Sequence, residues 1–246
     1  DNIATSYAVY SEAQSGYLKN IVNIKSGAAV TGYFYNNGAV GNAEINFGAE
    51  KNHLGDVGNL ASDLDFVYSG RIRGNSWTGN IYSGKVWLNG AENKFTDLTV
   101  YREGLLGGIG TITVLNQLVN YGQISPGDKT TGTLTINGIL KQKAGAEYLL
   151  EVTAVGGRDR INIEGSAEFE KSKVKLIAGK LGDVNRSYTN VLTATSLVGY
   201  ENIEFVSGPL LQVTPSLDIT QNKVTISVVS KNFSSIASAQ NSDVAS

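Results

Sequence analysis

Leu105-Leu106-Gly107-Gly108-Ile109-Gly110-Thr111-Ile112 opens a run of short apolar segments broken by glycine. It continues through Val119-Asn120-Tyr121-Gly122 into Gln123-Ile124-Ser125-Pro126-Gly127, and then to Gly132-Thr133-Leu134-Thr135-Ile136-Asn137-Gly138. Apolar residues alternate with polar ones in short runs, and Gly, Asn or Pro breaks each run before a helical period can form. A chain written this way turns often and builds short strands.

The same rhythm extends outward in both directions. Ile21-Val22-Asn23-Ile24, Val86-Trp87-Leu88, Leu98-Thr99-Val100, Ile161-Asn162-Ile163, Val174-Lys175-Leu176 and Val224-Thr225-Ile226-Ser227-Val228 all read as strands of three to six residues. Turn signals follow them at Gly27, Asn89-Gly90, Glu103-Gly104, Asn137-Gly138, Glu164-Gly165 and Gly179. β-branched and aromatic side chains suit a half-buried pleated surface, while Gly and Asn supply the turns between strands. The fold class expected is all-β. Only Ser234–Ser246 changes character, becoming rich in Ala and Ser.

An internal echo narrows the choice of architecture. Phe66-Val67-Tyr68-Ser69-Gly70, Trp77-Thr78-Gly79-Asn80-Ile81-Tyr82-Ser83-Gly84 and Val86-Trp87-Leu88-Asn89-Gly90 repeat one pattern, a strand ending in a glycine turn. A repeat near 20 residues favours a parallel β-helix, in which each coil buries its inward face by stacking on the next. Strands every 8–12 residues also suit an antiparallel sandwich, so the spacing alone leaves both open.

Composition excludes several functions. Charged residues make up 17% of the 246, the net charge is -2, and no basic patch accompanies aromatic residues, which argues against nucleic acid as a partner. The 29 glycines stand well above the usual ~7%, yet with only 3 prolines the chain is not a low-complexity segment. Cysteine is absent, which removes disulfides, thiol catalysis and thiolate zinc sites. Methionine is absent too, even at position 1, so the chain is expected to begin inside a longer one. No apolar run approaches the roughly 20 residues of a membrane helix, so these residues are not expected to be membrane-embedded.

Taken in order, these segments resemble the C-terminal half of a bacterial autotransporter passenger of the pertactin-like family. The resemblance is carried by Asn93–Val100, Gly104–Gly107, Gly108–Ile112, Val119–Gly127, Gly132–Gly138, Gly145–Val152, Asp159–Ala167, Val174–Leu176, Tyr188–Ala194 and Leu217–Ile219. It implies a right-handed parallel β-helix with a C-terminal cap. Residues 1–120 would form coils of the passenger, 121–230 an autochaperone-like cap, and 231–246, with Gln240-Asn241, the start of a linker to a membrane β-barrel. Leu134, Ile136, Tyr148, Leu149, Ile161, Ile163, Val174 and Leu176 would form the core of that folding cap. The resemblance further implies a bacterial surface or secreted location, reached through the periplasm and outer membrane. Its partners would be the chain's own barrel and a host cell-surface protein or receptor. From the residues themselves no cofactor and no enzymatic activity are expected. Residues 1 to about 60 share the style of the family without a sharp motif.

His53 is the only histidine, so any Ser–His–Asp triad would need it as base, with Asp56 or Asp63 orienting it. It sits in the polar stretch Glu50–Asp56 with no G-x-S-x-G elbow nearby, which reads as a loop. Asp63 with Asp65, and Glu168 with Glu170, have the spacing of carboxylates on one strand face. That is the raw material of a glycosidase, a less favoured reading. Gly156-Gly157-Arg158-Asp159 is similar to one unit of a calcium-binding repeat but occurs once, so a turn in which Asp159 bonds its own backbone is expected. Gly104–Gly110 lacks the Lys-Ser/Thr ending of a phosphate loop. In Tyr33-Phe34-Tyr35 neighbouring side chains point to opposite faces, so an inward Phe34 would put both tyrosines outside. Tyr33 and Tyr35, with His53 and Asp56, are the candidate contact surface, and Tyr7, Tyr10 and Tyr17 accompany them. A released receptor ligand or toxin, contacting its partner through residues 48–60, is the alternative to a passive stalk.

Overall fold

A computed structural model describes residues 7–12, 19–40, 42–178 and 185–231. Tyr17 and the proposed linker segment 232–246 lie outside the described residues. The first strands are β1 (Tyr7–Ser11), β2 (Asn20–Ile24), β3 (Tyr33–Asn36) and β4 (Ala43–Phe47). A small hairpin follows, β5 (Ala49–Lys51) with β6 (Val57–Leu60). Next come β7 (Asp65–Tyr68), β8 (Ile72–Leu88), β9 (Asn93–Gly108), β10 (Thr111–Asn120) and β11 (Gln123–Pro126). Beyond them lie β12 (Thr133–Asn137), β13 (Leu140–Gln142), β14 (Glu147–Val152), β15 (Arg160–Phe169) and β16 (Lys173–Ala178). The chain closes with β17 (Asn185–Val198), β18 (Glu204–Val206), β19 (Leu211–Asp218) and β20 (Lys223–Ser230). Among the described residues the only helical piece is a 3₁₀ turn at Tyr200–Asn202. The protein is all-β.

Pairing is mostly parallel and follows three ladders. In one, Phe34, Ile72, Asn93, Ile112, Ile136, Ile163 and Ala194 are successive partners. In a second, Ile45, Gly79, Leu98, Leu118, Leu140, Ala167 and Leu197 align. In the third, Phe66, Val86, Leu106, Ile124, Tyr148, Val174 and Phe205 align. Partners are about twenty residues apart from β7 to β14, the period read from the echo, and nearer thirty in the steps toward the C-terminal end. Pairing runs through residue 121 without interruption, since β10 and β11 each bond strands on both sides.

The ladders are apolar on one face and polar on the other, which is why alternation survives in a parallel sheet. β12 shows the rule: Leu134 and Ile136 are fully buried while Thr133, Thr135 and Asn137 are half-buried. Burying each such side chain contributes about 1.5–3 kcal/mol before the entropic cost of ordering it. Of the residues expected in that core, Leu134, Ile136, Tyr148, Ile161, Ile163, Val174 and Leu176 are buried. Leu149 is a correction. In β14 burial alternates strictly, so Tyr148, Leu150 and Val152 face inward and Leu149 shares the outer face with Glu147 and Glu151. Leu149→Ser is accordingly expected to cost less than about 1 kcal/mol in urea unfolding.

The strands are also longer than the sequence rhythm suggests. β8 and β9 run 17 and 16 residues, bending at glycines rather than ending there. Gly108 shows why the residue type matters. Its φ is +121°, and a Cβ there would lie 2.4 Å from the Leu88 carbonyl oxygen. At the C-terminal end the pairing changes sense: β17 meets β20 antiparallel, and β20 meets β19 antiparallel. Val224, Ile226 and Val228 bury the inner face of β20. β19 carries Pro215, a residue that removes an edge donor and discourages further strand addition.

Candidate binding surface

Phe34 points into the core at 0% exposure, in edge contact with Tyr68 and Trp77, and this places Tyr33 and Tyr35 outside together. Their neighbours differ. The Tyr35 ring packs with Tyr7 and Tyr10, with centroids 5.4 and 5.7 Å away. Tyr7 and Tyr10 are themselves 5.4 Å apart and about half exposed. The Tyr10 hydroxyl donates to Glu12 at 2.8 Å, and that bond to a carboxylate raises its pKa. Tyr33 instead lies under the guanidinium groups of Arg71 and Arg73, each 5.8 Å from the ring centroid. Arg73 also donates to Glu92 at 2.6 Å. The result is an exposed aromatic cluster beside a cation-covered tyrosine, a surface able to take planar or cationic groups.

His53 and Asp56 sit elsewhere, at the tip of the β5–β6 hairpin. Asn52 organises that tip: its Oδ1 accepts from the Leu54 and Asp56 amides, and its Nδ2 donates to Asp56 Oδ2 at 3.0 Å. Asp63 accepts from Ser26 at 2.8 Å. Neither carboxylate orients His53, so the triad geometry weighed for it is not assembled. The two tyrosines and the His53 loop are therefore separate features and not one contact surface.

The hairpin is held over the outer face of β2 and β4. Asn23 accepts the Lys51 amide at 3.2 Å and donates to the Lys51 carbonyl at 3.0 Å, so its side chain pairs like a strand backbone. Asn46 donates to Asn23 at 3.0 Å, and Asn80 donates to Asn46 at 2.9 Å, forming a ladder across three strands. Beneath the hairpin Glu44 is 2% exposed and pairs with Lys51 at 2.8 Å and Lys19 at 3.8 Å. A shallow cleft of about 360 Å³ lies over them, with His53 on its rim.

The carboxylate pairs are committed to other partners. Asp65 accepts from Lys129 at 3.0 Å and from the Trp87 indole at 2.8 Å, and the Lys129 bond holds its carboxyl below the usual range. Glu168 pairs with Lys141 at 3.4 Å and Glu170 with Lys143 at 2.5 Å; the latter contact lowers the Glu170 carboxyl as well. Asp65 and Glu170, with their carboxyls held low, are poor proton donors for glycoside cleavage. Asp159 also departs from expectation. Its carboxylate does not bond its own turn but accepts from the Gly132 and Glu151 amides, each at 2.9 Å, stitching three segments together. The turn is closed instead by Thr153 and Gly157.

One feature escaped the sequence reading. On the outer face of β8, β9 and β10 lies a groove of about 700 Å³, lined by Tyr82, Tyr101 and Tyr121 and walled by Leu60 of the hairpin. The signal existed, because each tyrosine directly follows a ladder position: Ile81, Val100 and Asn120 are partners in register. Among the described residues no group of three or more His, Asp or Glu could hold a metal ion, and no helix is long and apolar enough to cross a membrane. No protein-family model matches the chain, and no curated protein matches it. Its class is thus given by the fold alone: an all-β protein dominated by parallel pairing.

Proposed function

We propose that the chain winds as a right-handed parallel β-helix and serves as the C-terminal part of an autotransporter passenger. It would act as a stalk and folding cap for a surface-displayed or released bacterial factor that contacts host cells. The observation that supports this is the change of pairing sense. Parallel ladders that step by about twenty residues, and by nearer thirty toward the C-terminal end, finish in the antiparallel strands β19 and β20. Stacked coils leave an open edge that would recruit other strands, and a folded-over hairpin with a proline on its outer strand closes that edge. A closed end is also a template on which preceding coils can stack one after another, because each coil touches mainly its neighbours.

A second reading, a released receptor ligand or toxin on the same scaffold, is favoured by one feature. The β5–β6 hairpin stands outside the ladders and exposes Leu54 and Val57, at 88% and 43%. Both readings are tested in the parent cell with an antibody against this chain. Labelling of intact cells supports display, and recovery from the medium supports release. Labelling only after permeabilisation would overturn both.

A further inference from the structure

We propose that the groove across β8, β9 and β10 binds a neutral glycan, a short chain of pyranose rings lying over Tyr101 and Tyr121. The site is independent of the passenger reading and does not need it.

The argument begins with the rings. Tyr82 and Tyr101 stack with centroids 4.5 Å apart at 18°, so Tyr82 covers one face of Tyr101 and supports it. Tyr82 is 9% exposed, whereas Tyr101 and Tyr121 are 37% and 40% exposed. The floor is therefore a braced aromatic ring followed by a second tyrosine one strand along. Neighbouring strands are about 4.8 Å apart, so three strands span about 10 Å, the reach of two linked pyranoses. A pyranose presents an apolar C–H face and a rim of hydroxyls, which suits flat rings ringed by polar groups.

The rim supplies those polar groups, and none is used internally. Arg102, Glu103 and Gln117 line the groove, and their side chains make no hydrogen bond or ion pair among the described residues. Each ends in a planar fork: N–H donors on Arg102, two acceptor oxygens on Glu103, and a carbonyl acceptor beside an NH2 donor on Gln117. Such forks match vicinal hydroxyls, which donate and accept at once. The charges also select the ligand. One cation and one anion leave the groove lining with no net charge, which offers no net attraction to a sulfate, phosphate or uronate and suits a neutral sugar. Beyond Tyr121 the outer face carries Lys141 and Lys143, already paired with Glu168 and Glu170, so no free cationic row extends the site toward an acidic polymer.

The test uses the full chain on an array of immobilised oligosaccharides. Neutral β1,3- and β1,4-linked glucose, galactose and N-acetylglucosamine oligomers are set beside heparin and sialylated chains. At least one neutral oligomer should be retained, and Tyr101→Ala should weaken that binding at least tenfold. Because Tyr101→Ala also unstacks Tyr82, Arg102→Ala and Glu103→Gln provide a second readout. Both residues are exposed and their side chains have no partner among the described residues, so these variants should keep the wild-type unfolding midpoint yet lose severalfold in affinity. Retention of charged chains alone, retention of none, or equal retention by all three variants would overturn the assignment.

Discussion

Asp159→Ala is expected to destabilise the fold by about 2–5 kcal/mol, because it leaves two buried backbone donors without an acceptor. The carboxyl is 1% exposed, and each of its oxygens takes one amide, Gly132 and Glu151, at 2.9 Å. Burial pushes its pKa up to about 7, against the pull of those two hydrogen bonds. In the unfolded chain an Asp titrates near ~3.9. The folded state therefore binds the proton more tightly, and this group's contribution to stability is complete below about pH 4. It is lost as the pH rises through about 7. Acidification from pH 8 to 5 should consequently stabilise the native state at this site. Asp159→Asn should cost less than the alanine change, since one acceptor remains, and should flatten the slope of stability between pH 5 and 8. Urea unfolding at several pH values, read by the two tryptophans Trp77 and Trp87, measures both effects. Parallel pH profiles for wild type and Asp159→Asn would refute the role given to this carboxyl.

Much of the ladder arrangement is legible because it depends on local alternation and on period. Leu98, Leu118 and Leu140 share one ladder, and each lies about twenty residues beyond the last, so period alone aligns them. Alternation could not decide between parallel and antiparallel pairing, because one face of each ladder is polar and reads like any half-buried sheet. Leu149 failed for a different reason. Its flanking glutamates, Glu147 and Glu151, share its parity and mark the outer face, but adjacent leucines drew attention to hydrophobicity over phase. The surface features divide in the same way. Phe34 inward and Tyr33 and Tyr35 outward follow from strand alternation. The groove needs the register of three strands plus a wall from the β5–β6 hairpin. That hairpin folds back because Asn23 reaches Lys51 across 28 residues, a contact no local pattern announces. The links from Asp159 to Gly132 and from Tyr188 to Thr153 are equally non-local, spanning 27 and 35 residues.

Ile226→Ala should slow folding if the proposed cap is the nucleus. Ile226 is fully buried in β20, opposite Tyr188 on one side and Pro215 on the other. Removing most of its side chain costs about 2–5 kcal/mol of equilibrium stability, through lost burial and the cavity left behind. If the antiparallel end forms first, that cost is already present in the transition state. The folding rate then falls on the order of a hundredfold while unfolding changes little. Ile45→Ala provides the opposing case. It is also fully buried, in β4 near the other end of the ladders, and should lose a similar equilibrium stability. There the loss should appear as faster unfolding, because β4 joins after the template exists. Trp77 and Trp87 both lie on β8, between the two sites, so one stopped-flow signal reports on either variant. A reversal, with Ile45→Ala slowing folding and Ile226→Ala only speeding unfolding, would place the nucleus at the β4 end. The antiparallel strands would then be a late closure that protects an edge, and the change of pairing sense would bear on solubility and not on the order of folding.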